Sequence, residues 1–378
     1  MRSIKAIVLA AVAVFFVTQG ASATDLDTEV QDMKQRLEQM ETQLKAQDQE
    51  LAAAKEDRTA TSALSSFLEK TDISGFVAGG WSWSKTDGES DSNTFAIQQY
   101  WIEMNKAPTE ESRAGFDIAL QGGSFCTVGG CGIAPGNAND VHLYTANVSY
   151  LAPIGSGLTV TAGIMPTLIG WEVENQNGNF FVTRSLVWDL QPVTSTGATL
   201  NYGITDSLSL TVGAINAPIS DVRFADYTAK SITSLLSYSS GMLYLSAGLN
   251  WGKLGDGDAS KGIFDLIVTV DPTDALHFGA NYDYHFGDLA SGDEDPAENG
   301  NAVSVWGTFQ VIEKTALGAR FDYVKLDDST KKWEITATVA QSITDGLTGK
   351  VEYRYDKDET GGGDVGSNTV YVQMMYEF

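Results

Sequence analysis

From Ile73 to Phe378 the chain reads as segments of about ten residues in which apolar and polar side chains alternate, joined by tight turns and long polar loops in turn. A period of two places alternate side chains on opposite faces of a strand. In 276–286, Leu276, Phe278, Ala280, Tyr282, Tyr284 and Phe286 share one face, and His277, Gly279, Asn281, Asp283 and His285 share the other. A chain built this way folds as a sheet with one apolar and one polar face. When the apolar face is this continuous and the segments this long, closure into a barrel across a bilayer satisfies both faces and leaves no sheet edge.

Sixteen such segments can be counted, from 73–84 to 369–378. The turns after every second segment are short (153–157, 204–207, 241–242, 271–274, 313–314 and 343–346), whereas the connections on the other side are longer and rich in Gly and Asp. An even count with short turns on one side is the outer-membrane convention. The expected fold class is therefore all-β: a 16-stranded antiparallel transmembrane β-barrel over residues 72–378, with both ends in the periplasm. A ten-residue strand tilted near 45° spans roughly 23 Å, enough for the apolar band. Sixteen strands enclose more space than side chains fill.

Parity assigns an expected lumen set: Arg113, Asp117, Asp283, Arg320, Asp322, Lys350, Glu352 and Arg354, opposite lipid-facing Phe116, Leu317, Phe321, Val351 and Tyr353. Charges on one face of a spanning strand must line water or one another, because lipid exposure is costly. An aqueous pore meets that requirement, and so does an internal ion-pair ladder that closes the lumen. The connection 167–193 is the longest, and a loop of that length without evident structure is usually functional or disordered. As the third loop on the long side, it supplies the expected constriction residues Glu172, Glu174, Arg184 and Asp189; an external lid is the alternative.

The first 71 residues are of a different kind. Arg2 and Lys5, an apolar run over 7–17 and Ala21-Ser22-Ala23 form a secretory signal peptide, residues 1–23. Its apolar run is too short for an anchor helix, and no other run of about 18 apolar residues follows. In 24–58, Leu26, Val30, Met33, Leu37, Met40, Leu44, Gln47, Leu51 and Ala54 are spaced alternately by fours and threes, with polar residues between and no Gly or Pro. A strict 3.5-residue period predicts a coiled coil; a single amphipathic helix lying on the barrel is the alternative. Residues 59–71 read as a linker.

The formal net charge of −25 excludes a nucleic-acid partner, which needs basic patches. Cys126 and Cys131 follow an export signal, so one short disulfide is the natural reading, with a redox pair as the weaker one. Acidic clusters at Asp288, Asp293, Glu294, Asp295, Glu298 and at Asp356, Asp358, Glu359, Asp364 read as solvated loops that concentrate cations near the barrel mouth. Calcium or magnesium bound through oxygen ligands is the alternative, but no twelve-residue calcium-loop pattern is present and solvated loops are the preferred reading. His142, His277 and His285 are the only histidines, and no hydrolase, zinc or phosphate-loop motif accompanies them. The expectation is a non-enzyme without a cofactor.

Asp72-Ile73-Ser74-Gly75-Phe76, 104–108 with Gly115-Phe116-Asp117, and 157–163 occur in order with Ile169-Gly170, Glu172, Arg184-Ser185, Gln191-Pro192, Thr196-Gly197-Ala198 and 208–216. Together they resemble the OmpL-like β-barrel porins, over most of 72–378 and most densely over 150–216. The resemblance implies a bacterial outer-membrane porin embedded in outer-membrane lipid. Its mode of action would be passive diffusion of small polar or charged solutes. The terminal strand with Tyr376 and Phe378 resembles the signal read by the outer-membrane assembly machinery, and also fits an interfacial aromatic girdle. By analogy with porins that carry periplasmic coiled-coil stalks, a homotrimer is expected. Two rival functions stay open: a structural barrel whose coiled coil contacts the cell wall or a partner, and a sheath around an electron-transfer protein.

Overall fold

The computed structural model describes residues 23–68, 70–124, 141–219, 228–253, 260–287, 299–326 and 329–378. They form two units, Met1–Lys70 and Thr71–Phe378. Among the described residues the first holds one helix, α1 (Ala23–Leu68). The helix runs past residue 58 through most of the expected linker, because 59–68 contains no Gly or Pro to stop it. Leu37, Met40 and Leu44 are exposed and Met33 half-buried; the side chains of Leu26, Val30 and Leu51 lie outside the described set. No helix among the described residues is long and apolar enough to cross a membrane.

Among the described residues the second unit is built of strands, with three single-turn 3-10 helices at Gln176–Gly178, Trp188–Leu190 and Thr360–Gly362. It begins with β1 (Asp72–Thr86), β2 (Ser92–Lys106), β3 (Ala114–Gly122) and β4 (His142–Ala152). Next come β5 (Leu158–Pro166), β6 (Thr194–Gly203), β7 (Leu208–Ile215) and β8 (Ser231–Ser240). β9 (Leu243–Lys253), β10 (Ser260–Thr273), β11 (Leu276–Gly287) and β12 (Gly300–Ile312) follow. The last are β13 (Thr315–Leu326), β14 (Lys331–Thr344), β15 (Leu347–Asp358) and β16 (Val365–Glu377). Each strand pairs with its sequence neighbours and β1 closes on β16, so the sheet is a closed barrel of sixteen antiparallel strands. Several ends differ from the sequence reading by a few residues. β16, for example, starts at Val365, because its extra residues still pair with β15, Asp358 opposite Val365. Arg113 falls just before β3.

Burial follows parity. On β13, Gly318, Arg320, Asp322, Val324 and Leu326 are buried while Leu317, Ala319, Phe321 and Lys325 are exposed. The exposed set is apolar through the band that a bilayer would cover, as on β15, where Val351 and Tyr353 face out. Tyr376 and Phe378 are exposed on the same outer face.

The seam between first and last strands depends on a glycine. Gly75 and Phe378 exchange backbone hydrogen bonds of 3.1 and 2.9 Å. A Cβ at Gly75 would lie 2.4 Å from the Trp101 carbonyl oxygen and 2.7 Å from the Phe378 ring. Gly75→Val is expected to obstruct this closure, since the obstacle on one side is backbone that cannot yield. In a refolding assay read by the gel shift between unheated and heated samples, most of the variant should run in the unfolded position.

Candidate functional site

The connection between β5 and β6, residues 167–193, is held by inward-facing side chains of five strands. At its start, Trp171 N donates to Asn281 Oδ1 (3.3 Å) on β11. Gln121 Nε2 on β3 then donates to Glu174 Oε1 (2.9 Å), and Gln99 Oε1 on β2 accepts from Gln176 N (2.8 Å). Further on, Lys350 Nζ donates to the Asn179 carbonyl (2.8 Å), and Glu352 accepts from Val182 N (2.6 Å), Thr183 N (2.8 Å) and Thr183 Oγ1 (2.6 Å), all on β15. On the return, Leu186 N donates to Asp322 Oδ2 (3.0 Å) on β13 and Gln191 Nε2 to Asp283 Oδ2 (2.7 Å) on β11. A segment bonded to inward positions of β2, β3, β11, β13 and β15 lies inside the barrel against that arc of wall.

Apolar contacts fix the same pose. Val187 joins Ala302, Val324 and Leu326 in one buried cluster. Trp188 and Val193 join Phe76, Trp101, Tyr144 and Met375 in another. Phe180 lies against Gly318, where a Cβ would sit 2.3 Å from its ring, so glycine permits the close approach.

A charged network ties loop to wall. Arg320 is the hub: Nη1 donates to Glu172 Oε1 (3.1 Å) and to the Thr183 carbonyl (2.8 Å), and Nη2 to Glu334 Oε1 (2.7 Å). Its Nε lies 3.2 Å from Asp322 Oδ2, and its guanidinium sits 4.9 Å above the Phe181 ring. Arg354 Nη2 pairs with Glu334 Oε2 (2.6 Å), and Arg354 Nη1 donates to the Arg184 carbonyl. Glu172 Oε2 accepts from Ser185 N (2.9 Å). Buried charges in such numbers persist because each is paired and bidentate geometry is available to Arg.

The four expected constriction residues therefore separate. Glu174 is buried and Glu172 is largely covered by its partners. Arg184 donates to the Glu174 carbonyl (2.8 Å) and lies 5.6 Å from the Trp188 ring centroid. Asp189 alone is exposed. Of the expected lumen set, Asp283, Arg320, Asp322, Lys350 and Glu352 are buried beneath the loop. Asp117 lines open space, and Arg113 donates to the Leu151 carbonyl (3.0 Å). Glu334, the acid between Arg320 and Arg354, escaped the sequence reading, although the alternation of 333–341 places it opposite outward Ile335.

Beside the loop, a cavity of about 470 Å³ opens against β2 to β8. It is lined by Glu103, Asn105, Asp117, Asn147, Thr161 and Thr211 among others, with the loop's Thr167 and Leu168 as its flank. The charged arc and this polar, mostly uncharged arc divide the inner wall.

Other candidates carry less. Cys126, Cys131 and the cluster 288–298 lie outside the described residues. Asp356, Asp358, Glu359 and Asp364 pair with Arg354, Lys332, Lys331 and Lys357. His277 Nδ1 lies 2.8 Å from Asp271 Oδ1. Among the described residues no group of three or more His, Cys, Asp or Glu could hold a metal.

A family model described as "Putative beta-barrel porin-2, OmpL-like" matches residues 70–378, the whole barrel. The chain belongs to the OmpL-like β-barrel porins. Solved structures agree on the fold. The outer membrane channel DcaP of Acinetobacter baumannii superposes with a TM-score of 0.60 at 15% identity, covering 82% of this chain and 97% of that one. OmpT of Vibrio cholerae, solved in a trimer form, gives 0.56 at 14% identity, covering 82% and 99%. An anion-selective porin from Comamonas acidovorans gives 0.56 at 11% identity, covering 82% and 100%. No curated protein matches by sequence. Family and fold place this OmpL-like porin in the outer membrane and point to a channel rather than an enzyme.

Proposed function

We propose that this OmpL-like porin gives passive passage to small polar solutes along the arc of lumen beside loop 167–193, with that loop as the constriction. The observation that carries this reading is the divided inner wall. One arc is occupied by the loop and its ion pairs, while the other borders a cavity of about 470 Å³ lined by hydroxyls, amides and two carboxylates. Polar groups facing water in a wide barrel are the arrangement that conducts. The working unit is a homotrimer, as in the trimer form of OmpT, with α1 self-associating through Leu37, Met40 and Leu44 in the periplasm.

Proteoliposome swelling with a series of neutral polyols of rising size tests this. Rates should fall steeply with solute size, the cut-off marking the narrow arc. Absence of swelling with the smallest polyol, in vesicles where the barrel is folded, would favour the tethering reading instead.

A further inference from the structure

Loop 167–193 carries an aromatic ring that its anchoring does not use. Trp171 stacks on Trp306 of β12, with ring centroids 5.6 Å apart and planes 21° from parallel, and Tyr244 of β9 lies 6.3 Å away. Parity turns both wall residues inward: Tyr244 shares its face with buried Ser246 and Asn250, and Trp306 with buried Ser304. Trp306 lies flat across β11 because its partner there is Gly279, where a Cβ would overlap the indole. The loop is already held by the ion pairs at Arg320 and by buried Phe181, Val187 and Trp188. Trp171 instead stays 43% exposed to the lumen. Large apolar rings clustered in water mark a binding surface.

Trp171, Trp306 and Phe180 line a cavity of about 230 Å³, with exposed His277 and half-buried Thr308 among its polar groups and the Glu172–Arg320 pair on its border. It is smaller than the roughly 300–1,000 Å³ of drug-sized sites, so it fits a single small ring. The charges around it are spent. Arg320 is matched by Glu172, Asp322 and Glu334, and His277 stands 2.8 Å from Asp271, so the lining offers neither a free cation to an anion nor a free carboxylate to a cation. What remains is flat aromatic faces beside neutral donors and acceptors. A pyranose ring has that complement: its C–H groups meet the electron-rich face of an indole, and its hydroxyl edge meets the polar side chains. The loop's Thr167 and Leu168, just before Trp171, flank the open passage, so the rings border the route of a solute.

We propose that Trp171 and Trp306, with Thr308 and His277, form a binding site for one neutral sugar ring beside the passage. The site deepens the porin reading by naming a class of solute, and rests on it. The ring stacks on the exposed indole, its hydroxyls exchange water for the polar wall, and open-chain polyols gain only the second of these contacts.

The test is calorimetric titration of the refolded full mature protein with D-glucose, with sorbitol, which has the hydroxyls without the ring, and with benzoate, which has a flat ring without the hydroxyls. Glucose should bind saturably, and the other two at least about tenfold more weakly. Trp171→Ala removes the exposed ring but keeps the backbone bond to Asn281 and the ion pairs of the loop, and should weaken glucose binding about tenfold; Trp171→Phe should restore most of it. In proteoliposomes the ratio of glucose to sorbitol entry should exceed one for wild type and fall toward one for Trp171→Ala. A barrel that admits solutes but binds glucose no better than sorbitol or benzoate, or binds it equally well after Trp171→Ala, overturns the sugar site alone. A folded barrel that admits neither solute overturns the porin reading and the site with it.

Discussion

Arg320→Met is expected to destabilise the barrel by about 3–5 kcal/mol, the usual cost of removing one partner from a buried ion pair. The side chain is 2% exposed and stands among Glu172, Asp322 and Glu334. Arg354 still neutralises Glu334, so Glu172 and Asp322 carry most of the loss. The loop also loses the bond at the Thr183 carbonyl. Two readouts should move together: the guanidinium midpoint in lipid vesicles should fall, and single-channel steps should become larger and noisier as the loop leaves the wall. Arg320→Lys keeps the charge but not the planar fork, so it should fall between wild type and methionine. An unchanged midpoint in Arg320→Met would show that the network does not hold the loop.

Glu352→Ala should have the second-largest effect. Glu352 receives Val182 N, Thr183 N, Thr183 Oγ1 and, from β14, Thr338 Oγ1 at 2.7 Å. Removing the carboxylate leaves two backbone donors unpaired, Val182 N buried and Thr183 N half-buried; at about 1–3 kcal/mol for the first and about 1 kcal/mol for the second, and with the hydroxyls free to turn, the loss is about 2–4 kcal/mol. Glu352→Gln retains one acceptor oxygen and should lose about half of that. The effect on conductance should match that of Arg320→Met in direction, because both release the same loop from the charged arc. A stability loss with unchanged conductance would separate loop anchoring from the width of the passage.

The barrel was legible because alternation is a local signal. Each of sixteen strands declares its two faces, and the short turns set their order. The loop was legible by length, and its acids stood out as unusual. What the sequence could not state is how those acids are spent. Glu172 and Glu174 resemble solute-facing charges, yet one binds Arg320 and Ser185 and the other binds Gln121. Arg320 lies 148 positions from Glu172, as Val182 lies 170 from Glu352, and no local pattern encodes such distances. Glu334 was missed for a related reason: its partners Arg320 and Arg354 sit on the two neighbouring strands, and nothing beside it in β14 marks them. The helix was legible by period, and it extends further than the seam because nothing in 59–68 breaks it.

The central claim is an open passage beside an anchored loop, and single-channel recording of the refolded mature protein in a planar bilayer tests it most directly. The account predicts steady open steps, arriving in groups of three, that grow when the loop is released by Arg320→Met. A protein that migrates as a folded barrel yet carries no current, with or without that substitution, would contradict it.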